Sequence, residues 1–150
     1  MQIDNKDLLI LNQLIQNARE SASNIAELIS MSIPAVTERI KKLQDSGIIK
    51  GYNVDIDTKK IGMDVSAFIT IISESSAYFE DVVKEANNNP YVIKCYTTTG
   101  VGSHILLVEV ENTALLEKLL RDIQSWKGVK RTETQLILSS YKNNHLLIQT

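Results

Sequence analysis

One cysteine, two prolines, one tryptophan and two phenylalanines are all that 150 residues hold of these types. The single cysteine, Cys95, excludes an internal disulfide and fits a reducing compartment, the cytoplasm. It stands in the strand-like run YVIKCYTTT, where a free cysteine serves as a small buried apolar side chain. No run approaches the roughly 20 uninterrupted apolar residues of a membrane span, so no membrane partner is expected. The opening MQIDNKDLLI has acidic residues and no basic leader before its apolar run, which does not read as a signal peptide. Charge of one sign is missing too: a net charge of −2 argues against a protein coated in positive charge. His104 and His145 lie far apart, and neither stands at metal-ligand spacing with Cys95, so no metal or other cofactor is expected. The run GVGSH lacks the lysine of a phosphate-binding loop and the third glycine of a dinucleotide fingerprint. With no catalytic constellation to point to, the chain does not read as an enzyme.

What is present is periodic. Over residues 4–18, Asp7, Ile10, Leu11, Leu14 and Ala18 recur at three- and four-residue steps, with Asn12, Gln13 and Gln16 opposite, which predicts a helix. ESASN breaks the pattern, and Ser21 or Ser23 can cap a second short helix with Ile25, Ala26 and Ile29 on its apolar face. A third helix enters through Ser32 and Pro34, since proline is tolerated only in the first turn, and closes at Gly47. Three helices with connectors this short form a compact unit over residues 1–50, its second and third making a helix-turn-helix. IIKGYNVDI then reads as extended chain, and the polar DTKKIGMD places a linker with a strand over residues 51–63.

From residue 64 to 150 the rhythm changes to strand–helix–strand, twice, about 35 residues apart. VSAFITII, SAYFEDVVKEA and YVIKCYTTT form the first copy; HILLVEV, TALLEKLLRDIQSW and VKRTETQLIL form the second. This is the ferredoxin-like β-α-β-β-α-β order, so the fold class is α+β: a three-helix unit followed by a ferredoxin-like domain. In VSAFITII, Val65, Ala67, Ile69 and Ile71 make one face, and Phe68 and Ile72 make the other apolar as well. Two helices cover only one face of a four-stranded sheet, so the second face points to a homodimer.

The third helix carries the functional reading. Residues 1–50 hold six cations and six acids, yet Arg39, Lys41, Lys42 and Lys50 cluster together. On an arbitrary amphipathic helix such cations mark a solvated face. Here Ser32, Pro34, Ala35 and Thr37 come first, small enough for close approach to base edges and thymine methyl groups. Arg39, Lys41 and Lys42 follow, placed to reach phosphates; Glu38 either pairs with one of the lysines or accepts from a cytosine amino group. Small residues first and cations after is what insertion of a helix N-terminus into the major groove of double-stranded DNA requires. The rival is an architectural protein that wraps DNA with little sequence preference and no effector.

IDNKDLLILNQLIQNAR, ISMSIPAVTERIKKLQDSGIIKGY, IGMDVSAFI and KGVKRTETQLIL resemble successive landmarks of the Lrp/AsnC (feast/famine) transcription regulators, from Ile3 to about Leu138. The resemblance implies a regulator that binds DNA through the helix-turn-helix and dimerises through the ferredoxin-like domain. It further implies assembly toward an octamer, an amino-acid effector, and a linker strand near residues 50–56 that pairs with its counterpart in a partner subunit. The family loop after the second strand carries a glycine, two variable residues and an aspartate that meets the ligand ammonium. Here the loop reads Gly100, Val101, Gly102, Ser103, His104, with Ser103 at the acid position and His104 where an aromatic is common. Serine accepts a hydrogen bond from an ammonium but adds no charge. By the same resemblance, the backbone of residues 100–102 holds a carboxylate, and Thr132 and Thr134 line the pocket. The plainer reading of Gly100 and Gly102 is a tight turn between strands.

Overall fold

The structure, a computed structural model, describes residues 1–141. The sequence leaves open whether the tail YKNNHLLIQT adds a strand or packs at an interface, and its part beyond Tyr141 lies outside the described residues. Among those residues two compact units separate, Met1–Asp55 and Ile56–Tyr141.

The first unit holds α1 (Asn5–Gln16), α2 (Ala22–Ile29) and α3 (Ile33–Asp45). Asp4 starts α1 with a reciprocal cap: its carboxylate accepts the Asp7 N–H at 2.9 Å, and the Asp7 carboxylate accepts the Asp4 N–H at 3.1 Å. Ser21 is the cap of α2, accepting from the Asn24 N–H at 3.0 Å. Ser32 caps α3 and Pro34 sits in its first turn, where a missing N–H costs nothing. Ile10, Ile25, Val36 and Leu43 are fully buried where the three helices meet. Asn12, which the pattern placed on the polar side of α1, is buried as well. The turn from α2 to α3 is short because Ser30 takes a left-handed φ of 54° and the Met31 N–H returns to the Ala26 carbonyl at 2.9 Å. Lys6 Nζ donates to the Ile29 carbonyl at 2.5 Å, a cation at the negative end of α2.

In the single chain, residues 50–56 carry no strand pairing, and Tyr52, Val54 and Ile56 stand exposed. The expected linker strand is absent here for a physical reason: an isolated extended segment has no ladder to complete its backbone hydrogen bonds.

The second unit runs β1 (Val65–Ser73), α4 (Phe79–Asn88), β2 (Val92–Thr97), β3 (His104–Val110), α5 (Thr113–Gln124) and β4 (Val129–Leu136). All pairs are antiparallel, in the order β2-β3-β1-β4, which is the β-α-β-β-α-β arrangement expected from the repeat. Alternation sorts the strands. Ala67, Ile69 and Ile71 of β1 with Leu106, Val108 and Val110 of β3 are fully buried against Val82 and Ala86 of α4 and Leu116, Leu119 and Ile123 of α5. Burying each large aliphatic side chain contributes about 1.5–3 kcal/mol, so this layer dominates the unit's stability. On the other face Phe68 pairs with Leu107 and Thr70 with Ile105. Phe68 stays 39% exposed there, together with Tyr96 of β2 at 47%.

Gly128 turns the chain into β4 at φ +83°, and a Cβ there would collide with the Tyr78 side chain. Gly128→Ala therefore meets both a left-handed backbone and an overlap, and should destabilise the second unit by about 3 kcal/mol. Denaturant unfolding followed by fluorescence of the single tryptophan, the buried Trp126, reads this directly. An unchanged midpoint would contradict it.

Candidate nucleic-acid interface and effector loop

On α3 the buried residues Val36 and Leu43 fix which side is left outward. Ser32, Pro34, Thr37, Glu38, Lys41 and Lys42 are exposed, and Ala35 is half-buried. Two parallel rows result at one-turn steps: Ile33, Thr37, Lys41 and Pro34, Glu38, Lys42. Ile33 was not among the expected contacts, yet it is 49% exposed at the tip of the helix. Its spacing of four before Thr37 was the available signal. Lys42 Nζ lies 3.0 Å from Glu38 Oε1, and this pairing holds the Glu38 carboxyl below its usual range. Glu38, the acid nearest the tip of the outward face, is thereby screened by its own neighbour.

Arg39 differs from expectation. Its Nη1 donates to Asp7 Oδ1 at 2.8 Å and to Asp4 Oδ2 at 2.8 Å, rather than projecting toward a phosphate. Asp7 is almost wholly buried, so its charge calls for a cation, and Arg39, one side of α3 away from the lysines, supplies it. Hydrogen bonding to Asp7 and then Asp4 raises the guanidinium pKa further. The Asp4 carboxyl is held low, first by the Asp7 backbone N–H and next by Arg39. Arg39 thus pins α3 to the start of α1 and sets the outward rows; it is a positioning residue.

In the second unit the loop before β3 is built against β1. Gly100 has φ +100°, which favours glycine, and Gly102 lies so close to the Thr70 side chain and the Ile71 carbonyl that a Cβ has no room. Val101 is exposed between them. Ser103, expected to meet a ligand ammonium, instead turns inward. Its N–H donates to the Ile71 carbonyl at 2.9 Å, and its Oγ lies 2.5 Å from Ser73 Oγ and 2.7 Å from His104 Nδ1. A short hydroxyl near a neighbouring strand finds partners there before it reaches solvent. His104 is fully buried, with its ring edge-to-face on Phe79 at 5.1 Å. Burial lowers its pKa and keeps the imidazole neutral near pH 7.

Thr132 and Thr134 pair with Ile71 and Ile69, so β1 lies between them and β3, which His104 opens. Thr132 Oγ1 accepts from Gln124 Nε2 at 3.1 Å on the α5 side. One chain therefore brings residues 100–104 together and leaves the two threonines two strands away. Cys95 is half-buried and desolvation pushes its thiol up, away from a reactive thiolate. Among the described residues no group of three histidines, cysteines or acids could hold a metal ion, and no helix is long and apolar enough to cross a membrane.

A tight helix pair presenting a cation-edged third helix, followed by a β-α-β-β-α-β unit, defines a helix-turn-helix DNA-binding regulator with a separate sensing or assembly domain. Residues 3–50 match the winged helix-turn-helix DNA-binding family, and residues 66–147 match the Lrp/AsnC ligand binding domain. The chain belongs to the Lrp/AsnC family of transcription regulators. It is 35% identical to the regulatory protein AsnC of Haemophilus influenzae over 139 residues, 92% of this chain and 93% of that protein. The structure of AsnC from Escherichia coli superposes with a TM-score of 0.88 at 29% identity, covering 97% of this chain and 99% of the other. The feast or famine regulatory protein of Mycobacterium tuberculosis, solved with L-methionine, gives a TM-score of 0.90 at 28% identity with the same coverage.

Proposed function

We propose that this regulator acts in the cytoplasm as a dimer, assembling toward an octamer, and inserts α3 of each subunit into the major groove at an operator. The observation that carries the reading is the pair of outward rows on α3. Ile33, Pro34 and Thr37 form a compact, mostly apolar tip suited to base edges and thymine methyl groups, and Lys41 and Lys42 lie exposed one turn behind it, where cations suit phosphates. Twofold symmetry supports half-sites about one helical turn apart, ~34 Å, or multiples of it. The open sheet face around Phe68 and Leu107 supports the dimer, and exposed Tyr52, Val54 and Ile56 support pairing of the linker with a second copy. An amino acid tunes the assembly in this reading, as the ligand binding domain and the methionine-bound relative suggest.

Selection of duplexes from a random pool tests the reading. Thr37→Ala should lose about 1 kcal/mol of preference at one base position while total affinity changes little. An identical selected motif would remove Thr37 from the reading face. No enriched motif with wild-type protein, together with steep salt dependence, would favour the architectural alternative.

A further inference from the structure

His104 opens β3 and is fully buried. Its Nδ1 lies 2.7 Å from Ser103 Oγ, itself 2.5 Å from Ser73 Oγ, whereas Nε2 is buried with no hydrogen-bond partner among the described residues. Buried polar atoms are almost always paired, so an orphan of this kind requires a cause. In the neutral ring Nε2 is one acceptor or one donor according to tautomer; in the imidazolium both nitrogens are donors. Ser103 Oγ can accept from Nδ1, but nothing in the closed site accepts from Nε2, and a buried charge without a partner is costly. The closed site therefore admits the neutral ring and rejects the charged one.

The same ring is a fastener. His104 meets Ile71 of β1 and Thr97 of β2 in the sheet, and its ring lies edge-to-face on Phe79, the first residue of α4. The loop beside it is closed by the Ser103 N–H on the Ile71 carbonyl and the Thr98 N–H on the Ser103 carbonyl, both at 2.9 Å. Of the elements packed on the ring, β1 brings Ile71 and Ser73, β2 Thr97 and the loop Ser103, none of them charged. Glu74 follows Ser73 and is exposed. Only α4 brings charge: Glu80 and Lys84, both exposed, border an open depression that Phe79 and His104 also line. Among the described residues neither is in an ion pair.

We infer that His104 is a proton-operated latch: neutral, it holds loop 98–103 and the start of α4 closed; protonated, it swings toward the depression, where Glu80 accepts from Nε2. The sign follows from linkage. Burial holds the closed ring's pKa below the ordinary histidine value, so the latch is at full strength above about pH 6.5 and weakens as pH falls below it. One proton taken up on opening raises the open fraction about tenfold per pH unit within that window.

Hydrogen exchange on the full chain between about pH 6.5 and pH 5, above the range in which carboxylates ordinarily titrate, tests this. Protection of the Thr98 and Ser103 amides, corrected for the intrinsic effect of pH on exchange, should fall about tenfold per unit. His104→Phe keeps a ring of similar shape without a titrating group and should make that protection independent of pH. Glu80→Gln should require a lower pH for the same loss. In the wild type the ring nitrogens of His104 should keep their neutral-form resonances well below pH 6.5, with His145→Gln separating the only other histidine. Protection that does not change with pH, or falls equally in His104→Phe, would overturn the inference. So would a ring that protonates near pH 6.5 while the two amides stay protected, and an unchanged onset in Glu80→Gln would overturn the part given to Glu80.

Discussion

Reversing the charge of Lys41 and Lys42 together should weaken duplex DNA binding by about 10² or more near physiological salt. Both side chains are exposed on α3, and among the described residues Lys42 is engaged only by Glu38, at 3.0 Å on the surface. An exposed pair of this kind is worth at most about 1 kcal/mol, so a phosphate competes with it readily. In a dimer the two lysines of each subunit together neutralise about four phosphates. Each phosphate left without its lysine should flatten the dependence of log affinity on log salt by about 0.9. Folding should change by no more than about 0.5 kcal/mol, because neither residue packs against the core. Fluorescence anisotropy across a salt series, with thermal melts alongside, measures both quantities. Full affinity in the reversed variant would mean that α3 does not face the duplex.

Arg39→Ala should behave in the opposite way, acting through stability. It removes the cation bonded to Asp7, a side chain only 2% exposed, and leaves that carboxylate buried without its charge partner. Breaking a fully buried pair costs about 3–5 kcal/mol; with Arg39 30% exposed, about 2 kcal/mol is expected. For a helical unit of some 55 residues with one small core, that is a large share of its stability. Far-UV circular dichroism should show the helices melting several degrees earlier. Asp7→Asn should reproduce the shift, and a double-mutant cycle should return a coupling of about 1–3 kcal/mol. DNA binding should be near normal at low temperature and fail as the unit melts. A wild-type melting curve with weakened affinity would restore Arg39 to the phosphate contact that its place beside Lys41 and Lys42 suggested.

That contrast marks what the sequence could and could not reveal. Helix starts were legible because caps are local: Ser21 and Ser32 act within three residues, and Pro34 admits one position. Strand faces were legible because alternation is local too, so Ala67, Ile69 and Ile71 fall to one side without knowledge of their neighbours. The ion pair of Arg39 with Asp7 spans 32 residues, and nothing near either residue announces it. For the same reason Ser103 looked available: its partners Ser73 and Ile71 belong to a strand 30 residues earlier. The linker at residues 50–56 reads as extended chain in the sequence but pairs with no strand of its own chain, so nothing local could fix its structure. Ile33 was readable by its spacing to Thr37, but its place beside the apolar residues of α3 concealed its exposure.

The central claim is sequence-specific DNA binding through α3, and capture of genomic fragments tests it most directly. Purified wild-type protein, and the Lys41→Glu/Lys42→Glu variant as control, would be mixed with sheared genomic DNA at physiological salt and the retained fragments sequenced. Discrete sites with a shared twofold motif, bound about 10³-fold more tightly than random DNA and absent from the control, are expected. Uniform retention of all fragments by the wild type, or the same discrete sites recovered by the charge-reversed variant, would contradict it.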